Sequence, residues 1–131
     1  MEALVSTAPD ATPDPALPPE AALEAQLARL CESFATTRGR QITLALASAD
    51  PESEFTRAFR NRVILSARAR GRSLIEAAIA TEHLAPPDDI ETLLDMIYAP
   101  LFLRILAGHR PLDPAFAAAL ARAAFTLLRA A

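Results

Sequence analysis

Apolar residues recur at three- and four-residue spacing along most of the chain, the period of amphipathic α-helices. Five such segments are predicted. The first runs from about Pro19 to Thr37, with Leu23, Leu27, Leu30 and Phe34 in one stripe and Cys31 beside it. Pro19 suits its first turn, Glu20 suits the positive end of its dipole, and Gly39 is read as its stop. A short second helix, about Arg40 to Ala49, brings in Ile42, Leu44 and Leu46. Asp50-Pro51-Glu52-Ser53-Glu54 then supplies a cap, a proline and early acids, opening a long third helix to about His83. Gly71 weakens its middle by roughly 1 kcal/mol relative to alanine. Pro86 and Pro87 end it, Asp88 or Asp89 caps a fourth helix reaching about Ala107, and Gly108 closes that one. Asp113-Pro114 starts the fifth. Ahead of all five, Met1 to Ser6 is expected to be a helix tail, and TAPDATPDPALPP (Thr7 to Pro19) a mobile linker. The expected organisation is therefore a leader over 1–18 and one domain over 19–131.

The last two helices are apolar over more of their circumference than a single core requires. One stripe of the fourth is Ile90, Leu94, Ile97, Leu101 and Ile105; from Met96 onward the opposite side carries Ala99, Phe102, Leu103 and Leu106. The fifth has Phe116, Leu120, Ala123 and Leu127 on one face, widened by Ala117, Ala121, Ala124, Phe125 and Leu128. A helix of a monomer normally shows a narrower stripe, and a contiguous surplus marks an interface. The expectation is a homodimer closed by a four-helix bundle, with Ala99, Leu103, Leu106, Ala117, Ala121, Ala124, Phe125 and Leu128 as candidate contacts. The alternative is two central helices of a monomer.

On the long helix, Phe55, Phe59, Val63, Ser66, Ala67 and Leu74 make the core-facing arc, and Arg57, Arg60, Arg68 and Arg72 a solvated face. Arg62 and Arg70 fall on or beside the apolar arc, where an arginine needs an acid such as Glu24, Glu32, Asp89 or Asp95, or an anionic guest. The aromatics either fill the core or line a cavity. The cavity reading places a ligand among Phe34, Phe55, Phe59, Met96 and Phe102, with Arg62 as polar anchor. Pro100 is expected to bend the wall by freeing the Met96 carbonyl.

Composition narrows the class. A chain of 131 residues, 52% hydrophobic, with 3 glycines and few β-branched residues, suits one all-α domain. All 13 basic residues are arginine, as in a GC-rich bacterial gene, and the net charge of -3 argues against nucleic-acid binding by this chain alone. The single cysteine excludes an internal disulfide. His83 and His109 fall near helix ends, and no phosphate loop, metal-spaced His/Cys pair or serine elbow is present. The inventory thus calls for no enzyme, no metal and no cofactor. Neither a membrane-length apolar run nor a signal pattern occurs, so a cytoplasmic protein without membrane contact is expected.

Two runs resemble a known family. DPESEFTRAFRNRV (Asp50 to Val63) and IEAAIATEHLAPPDDIETLLDMIYAPLFLRILAGHRPLD (Ile75 to Asp113) resemble the C-terminal regulatory domain of TetR/AcrR-type bacterial repressors over about Pro18 to Leu128. Thr81-Glu82-His83-Leu84 stands where that family commonly has Arg-Gly-Glu-Leu, and Pro100-Leu101-Phe102-Leu103-Arg104 follows its Pro-Leu-aromatic-aromatic-Arg string. The resemblance implies five helices, a dimer bundle from the last two, and a pocket for a small apolar or amphipathic ligand coupled to an N-terminal helix-turn-helix. Only Met1 to Ser6 precede the linker, so DNA contact is expected only through a missing N-terminal domain or a full-length partner. The leading functional expectation is a ligand-sensing, dimerising regulatory domain. The alternative is a free-standing dimerisation module that forms heterodimers with a full-length regulator.

Overall fold

The computed structural model describes residues 17–130, and the expected helix tail and most of the linker lie outside them. Five helices appear in the expected order. These are α1 (Pro19–Ala35), α2 (Thr37–Ser48), the long α3, α4 (Ile90–Ala107) and α5 (Pro114–Arg129). The rod α3 has three consecutive pieces, α-helical Glu54–Phe59, a π-helical turn Arg60–Ile64, and α-helical Leu65–Glu82.

Local chemistry sets the ends. Asp89 caps α4 by accepting from the Glu91 and Thr92 amides, and Asp113 caps α5 by accepting from the Phe116 amide at 2.9 Å. Gly108 closes α4 in the left-handed conformation (φ 65°), as a glycine there readily does. His83 takes the same role after α3 at φ 54°, a conformation a β-carbon disfavours.

Two boundaries differ from expectation. The cap of α3 is Ser53 rather than Asp50, whose carboxylate instead accepts from the Glu52 amide in the preceding turn. Gly39 does not stop α1. Thr36 is extended between α1 and α2, its hydroxyl donating to the Ser33 carbonyl and accepting from the Gly39 amide, both at 2.9 Å. Gly39 lies inside α2, where a β-carbon would stand 2.3 Å from the Ser33 carbonyl oxygen. Its role is to let two helices meet at a one-residue corner.

The first helix is the hub and touches every other. Its buried residues are Ala22, Leu23, Gln26, Leu27, Leu30, Cys31 and Phe34. Its most extensive partner is α5, which turns Ala117, Ala121, Ala124, Phe125 and Leu128 inward; small side chains permit close approach of the two backbones. From α3, Phe59, Val63, Ala67, Gly71, Ile75 and Ala78 form the buried row. From α4, Leu93, Leu94, Ile97, Tyr98, Leu101 and Ile105 complete the core. In α2, Ile42 is buried and Leu46 partly so, whereas Leu44 faces solvent.

Candidate functional site: a closed aromatic core and an exposed apolar ridge

The core contains one polar seam that the hydrophobic pattern did not reveal. Gln26, on the apolar stripe of α1, donates from Nε2 to the Ala67 carbonyl of α3 at 3.0 Å. Its Oε1 accepts from the Tyr98 hydroxyl of α4 at 2.5 Å. Three helices are thus tied through one buried amide, and each polar atom of the seam has a partner, as burial requires. Burial holds the Tyr98 phenol well above its ordinary pKa, against smaller opposing contributions from the Gln26 hydrogen bond and the charges of Arg68 and Arg70, so it stays a donor. Gly71 makes the seam possible, since a β-carbon there would stand 2.2 Å from the Tyr98 hydroxyl oxygen. The signals were present as a glutamine at a core position and a glycine mid-helix.

The aromatics converge beside this seam. Phe34 meets Phe102 with ring centroids 5.3 Å apart and Phe59 at 6.5 Å, both tilted. They fill the space rather than line it. The void bounded by Leu30, Phe34, Val63, Ile64, Ala67, Tyr98, Leu101 and Phe102 amounts to about 10 Å³, at the threshold for one water and far below a ligand pocket. Of the six candidate pocket residues, Phe34 and Phe59 are fully buried, and Phe55 and Phe102 pack against the core from its edge. Met96 and Arg62 do not join them. Met96 is 54% exposed and Arg62 lies on the surface, so neither bounds the aromatic cluster.

The arginine assignments shift for a related reason. Arg68, expected on a solvated face, is 14% exposed and pairs with Asp95 and with Glu91 at 2.5 Å. Arg72 pairs with the same Glu91 at 2.7 Å and with Glu76 at 3.8 Å. The pairs to Glu91 and Asp95 clamp α3 to α4, whereas Arg72–Glu76 lies within α3. A uniform helical wheel misplaces these side chains, because the π turn at Arg60–Ile64 adds a residue to one turn and rotates the rest of the helix relative to its start. Arg62 leaves the apolar arc and Arg68 moves to the α4 side.

The eight candidate interface residues divide cleanly. Ala117, Ala121, Ala124, Phe125 and Leu128 are buried against the chain's own core, because α1 already occupies that face of α5. They leave no surplus for a second copy to cover. Ala99, Leu103 and Leu106 remain on the surface and, with Met96, form a ridge along α4; Leu103 is 57% and Leu106 49% exposed. Leu127 of α5 is 51% exposed and shares a surface notch with Leu93 of α4.

Among the described residues no cluster of His, Cys, Asp or Glu could hold a metal ion, and no helix is long and apolar enough to cross a membrane. Burial keeps the Cys31 thiol protonated, pushed up to about 11 by desolvation first and by Asp113 second, against a smaller lowering by Arg104. Five helices gathered on the first, with a filled core and a bare ridge, define an all-α domain. The chain belongs to the family of tetracyclin repressor-like C-terminal domains, whose model matches residues 18–124. These are non-enzymatic regulator domains. No curated protein matches the chain closely enough to count as a relative.

Proposed function

We propose that this domain works by self-association through the outer face of α4, as the dimerising regulatory half of a cytoplasmic TetR-type repressor system. The observation that carries this is the ridge Met96, Ala99, Leu103 and Leu106, which no other part of the described chain covers. Large side chains half in water in an unbroken helical row are what a symmetric helix–helix contact uses. The exposed Leu127 of α5 extends the apolar surface beyond α4. A heterodimer with a full-length regulator would use the same face.

Two substitutions separate association from folding. Leu103→Glu puts a charge on the exposed ridge and is expected to give a folded monomer. Ala121→Glu puts it between α5 and α1, where a buried, unpartnered carboxylate costs several kcal/mol, and is expected to unfold the chain. A Leu103→Glu protein that still dimerises at micromolar concentration would overturn this assignment of the face.

Ligand sensing is the second reading, and the π turn favours it. Val63 and Ile64 come from that turn and form part of the wall of the aromatic void. Such turns gather at functional sites, and relaxing one to α-helix withdraws a residue from the register. The guest would be small and apolar or amphipathic, entering only as Phe34, Phe59 and Phe102 part. Saturable binding of an aromatic acid, lost in Phe59→Trp and kept in Leu103→Glu, would support it; unchanged binding in Phe59→Trp would remove it.

A further inference from the structure

A concavity lies away from the aromatic core, where the C-terminal end of α4 and the following turn face the start of α2. Its volume is about 310 Å³, and it is lined by Arg40, Arg104, Ile105, Gly108, His109, Arg110, Pro111 and Leu112. Three guanidinium groups and one imidazole share this space, and no carboxylate lines it. That is unexpected in a chain with 16 acidic residues and a net charge of -3. Elsewhere Arg57, Arg68, Arg72 and Arg129 all have carboxylate partners.

The fold holds one of these groups in place and leaves the others free. Arg104 donates from Nη1 to the Pro111 carbonyl at 2.8 Å, and its guanidinium carbon sits 3.5 Å above the Phe116 ring centre. Its plane is therefore fixed while further N–H groups remain available. Among the described residues, the side chains of Arg40, His109 and Arg110 make no hydrogen bond or ion pair. The nearby acid Asp113 caps α5 through the Phe116 amide.

Arg104 and its neighbours at the end of α4 complement that helix's negative pole, an ordinary structural role. Arg40 has no such explanation. It lies in the first turn of α2, which carries Arg38 and Arg40 and no acid, so these charges oppose the dipole. Placing a cation there is unfavourable unless an anion compensates it. The apolar part of the lining, Ile105, Pro111 and Leu112, offers a small non-polar contact beside the charges.

We propose that this concavity is a binding site for a compact organic dianion, a phosphate monoester or a dicarboxylate, gripped between Arg40 and Arg110 with Arg104 as the fixed fork. The volume suits a molecule of this size, and planar guanidinium groups match either oxyanion in bidentate fashion. The site is separate from the aromatic void and from the α4 ridge, so occupancy links α2 to the α4–α5 turn without opening the core.

The test is calorimetric titration of the full chain with phenyl phosphate, inorganic phosphate and succinate, at constant ionic strength against chloride. Phenyl phosphate or succinate is expected to bind once per chain with Kd of about 1 mM or tighter. Arg40→Gln and Arg110→Gln should each weaken it roughly tenfold or more, the loss of one charge-assisted hydrogen bond. Arg62→Gln makes the same change of net charge on the surface of α3 and should leave binding unaltered. Binding of inorganic phosphate alone would show a bare oxyanion site and overturn the organic part of the proposal. No saturable binding by the wild type, or equal weakening in all three variants, would overturn it altogether.

Discussion

Substituting Gly71 by alanine tests the polar seam, because local propensity and tertiary packing predict opposite signs. On propensity alone, Gly71→Ala in the middle of α3 should stabilise by about 1 kcal/mol. Packing reverses this. The new methyl carbon would stand 2.2 Å from the Tyr98 hydroxyl oxygen, 3.0 Å from Cζ and 3.1 Å from Cε2. Tyr98 is 5% exposed and bonded to Gln26, so its ring has no solvent-facing rotamer to escape into. Relief requires the hydroxyl to leave Gln26, orphaning a buried amide oxygen at about 1 to 3 kcal/mol, or α3 and α4 to separate at a similar overpacking cost. After the propensity gain, the net loss is about 1 kcal/mol, a fall in Tm of about 4 °C for a domain of this size. Tyr98→Phe alone should lose about 1 to 2 kcal/mol by leaving Gln26 Oε1 unpaired. The double variant lacks the worst contact and should be more stable than the sum of the two losses by at least about 1 kcal/mol. Urea unfolding followed by circular dichroism, at one fixed protein concentration, measures all four proteins. A Gly71→Ala protein that melts above the wild type, or strict additivity in the cycle, would refute the packing argument.

The Cys31 thiol, buried and with a pKa near 11, should resist maleimide at neutral pH in the native state and react rapidly in urea; fast native labelling would contradict the burial. Hydrogen bonds from Thr92 and from the Thr92 and Glu91 amides hold the Asp89 carboxyl below its usual range. Its capping contribution is therefore fully present above the ordinary aspartate pKa and lost as pH falls through the lowered native value. The stability gap between wild type and Asp89→Ala should accordingly close on acidification, and a gap independent of pH would refute the cap's charge dependence. Arg129 bridges Glu20 at 2.6 Å and Glu82 at 3.0 Å on the surface, so Arg129→Gln should be more damaging in low salt than in high salt, read from thermal melts at both.

Much of this fold was written locally. Asp113 and Gly108 announced their helix ends, and the pair Asp88-Asp89 the start of α4, because capping depends on near neighbours in sequence; the structure selects Asp89. The stripes of α1 and α4 appeared because burial on one face imposes a period. What stayed hidden depends on contacts between distant segments. Gly39 reads as a helix stop until Ser33 of the preceding helix is found against it. The π turn at Arg60–Ile64 has no sequence signature of its own, and ignoring it displaced Arg62 and Arg68 to the wrong faces. The excess apolar surface of α5 was real, but a periodic pattern cannot say whether a second copy or the chain's own α1 covers it. Convergence of Phe34, Phe59 and Phe102 was foreseeable from the pattern, whereas their filling of the intervening space depends on the packing of three helices.

Sedimentation equilibrium of the wild-type chain across a wide concentration range tests self-association through the α4 ridge most directly. Cooperative, folded protein should sediment at micromolar concentration as a single species of twice the 14.0 kDa chain mass, and Leu103→Glu should return it to one chain. A well-folded wild-type monomer throughout that range would contradict the proposal and leave Met96, Leu103 and Leu106 as ordinary exposed apolar side chains.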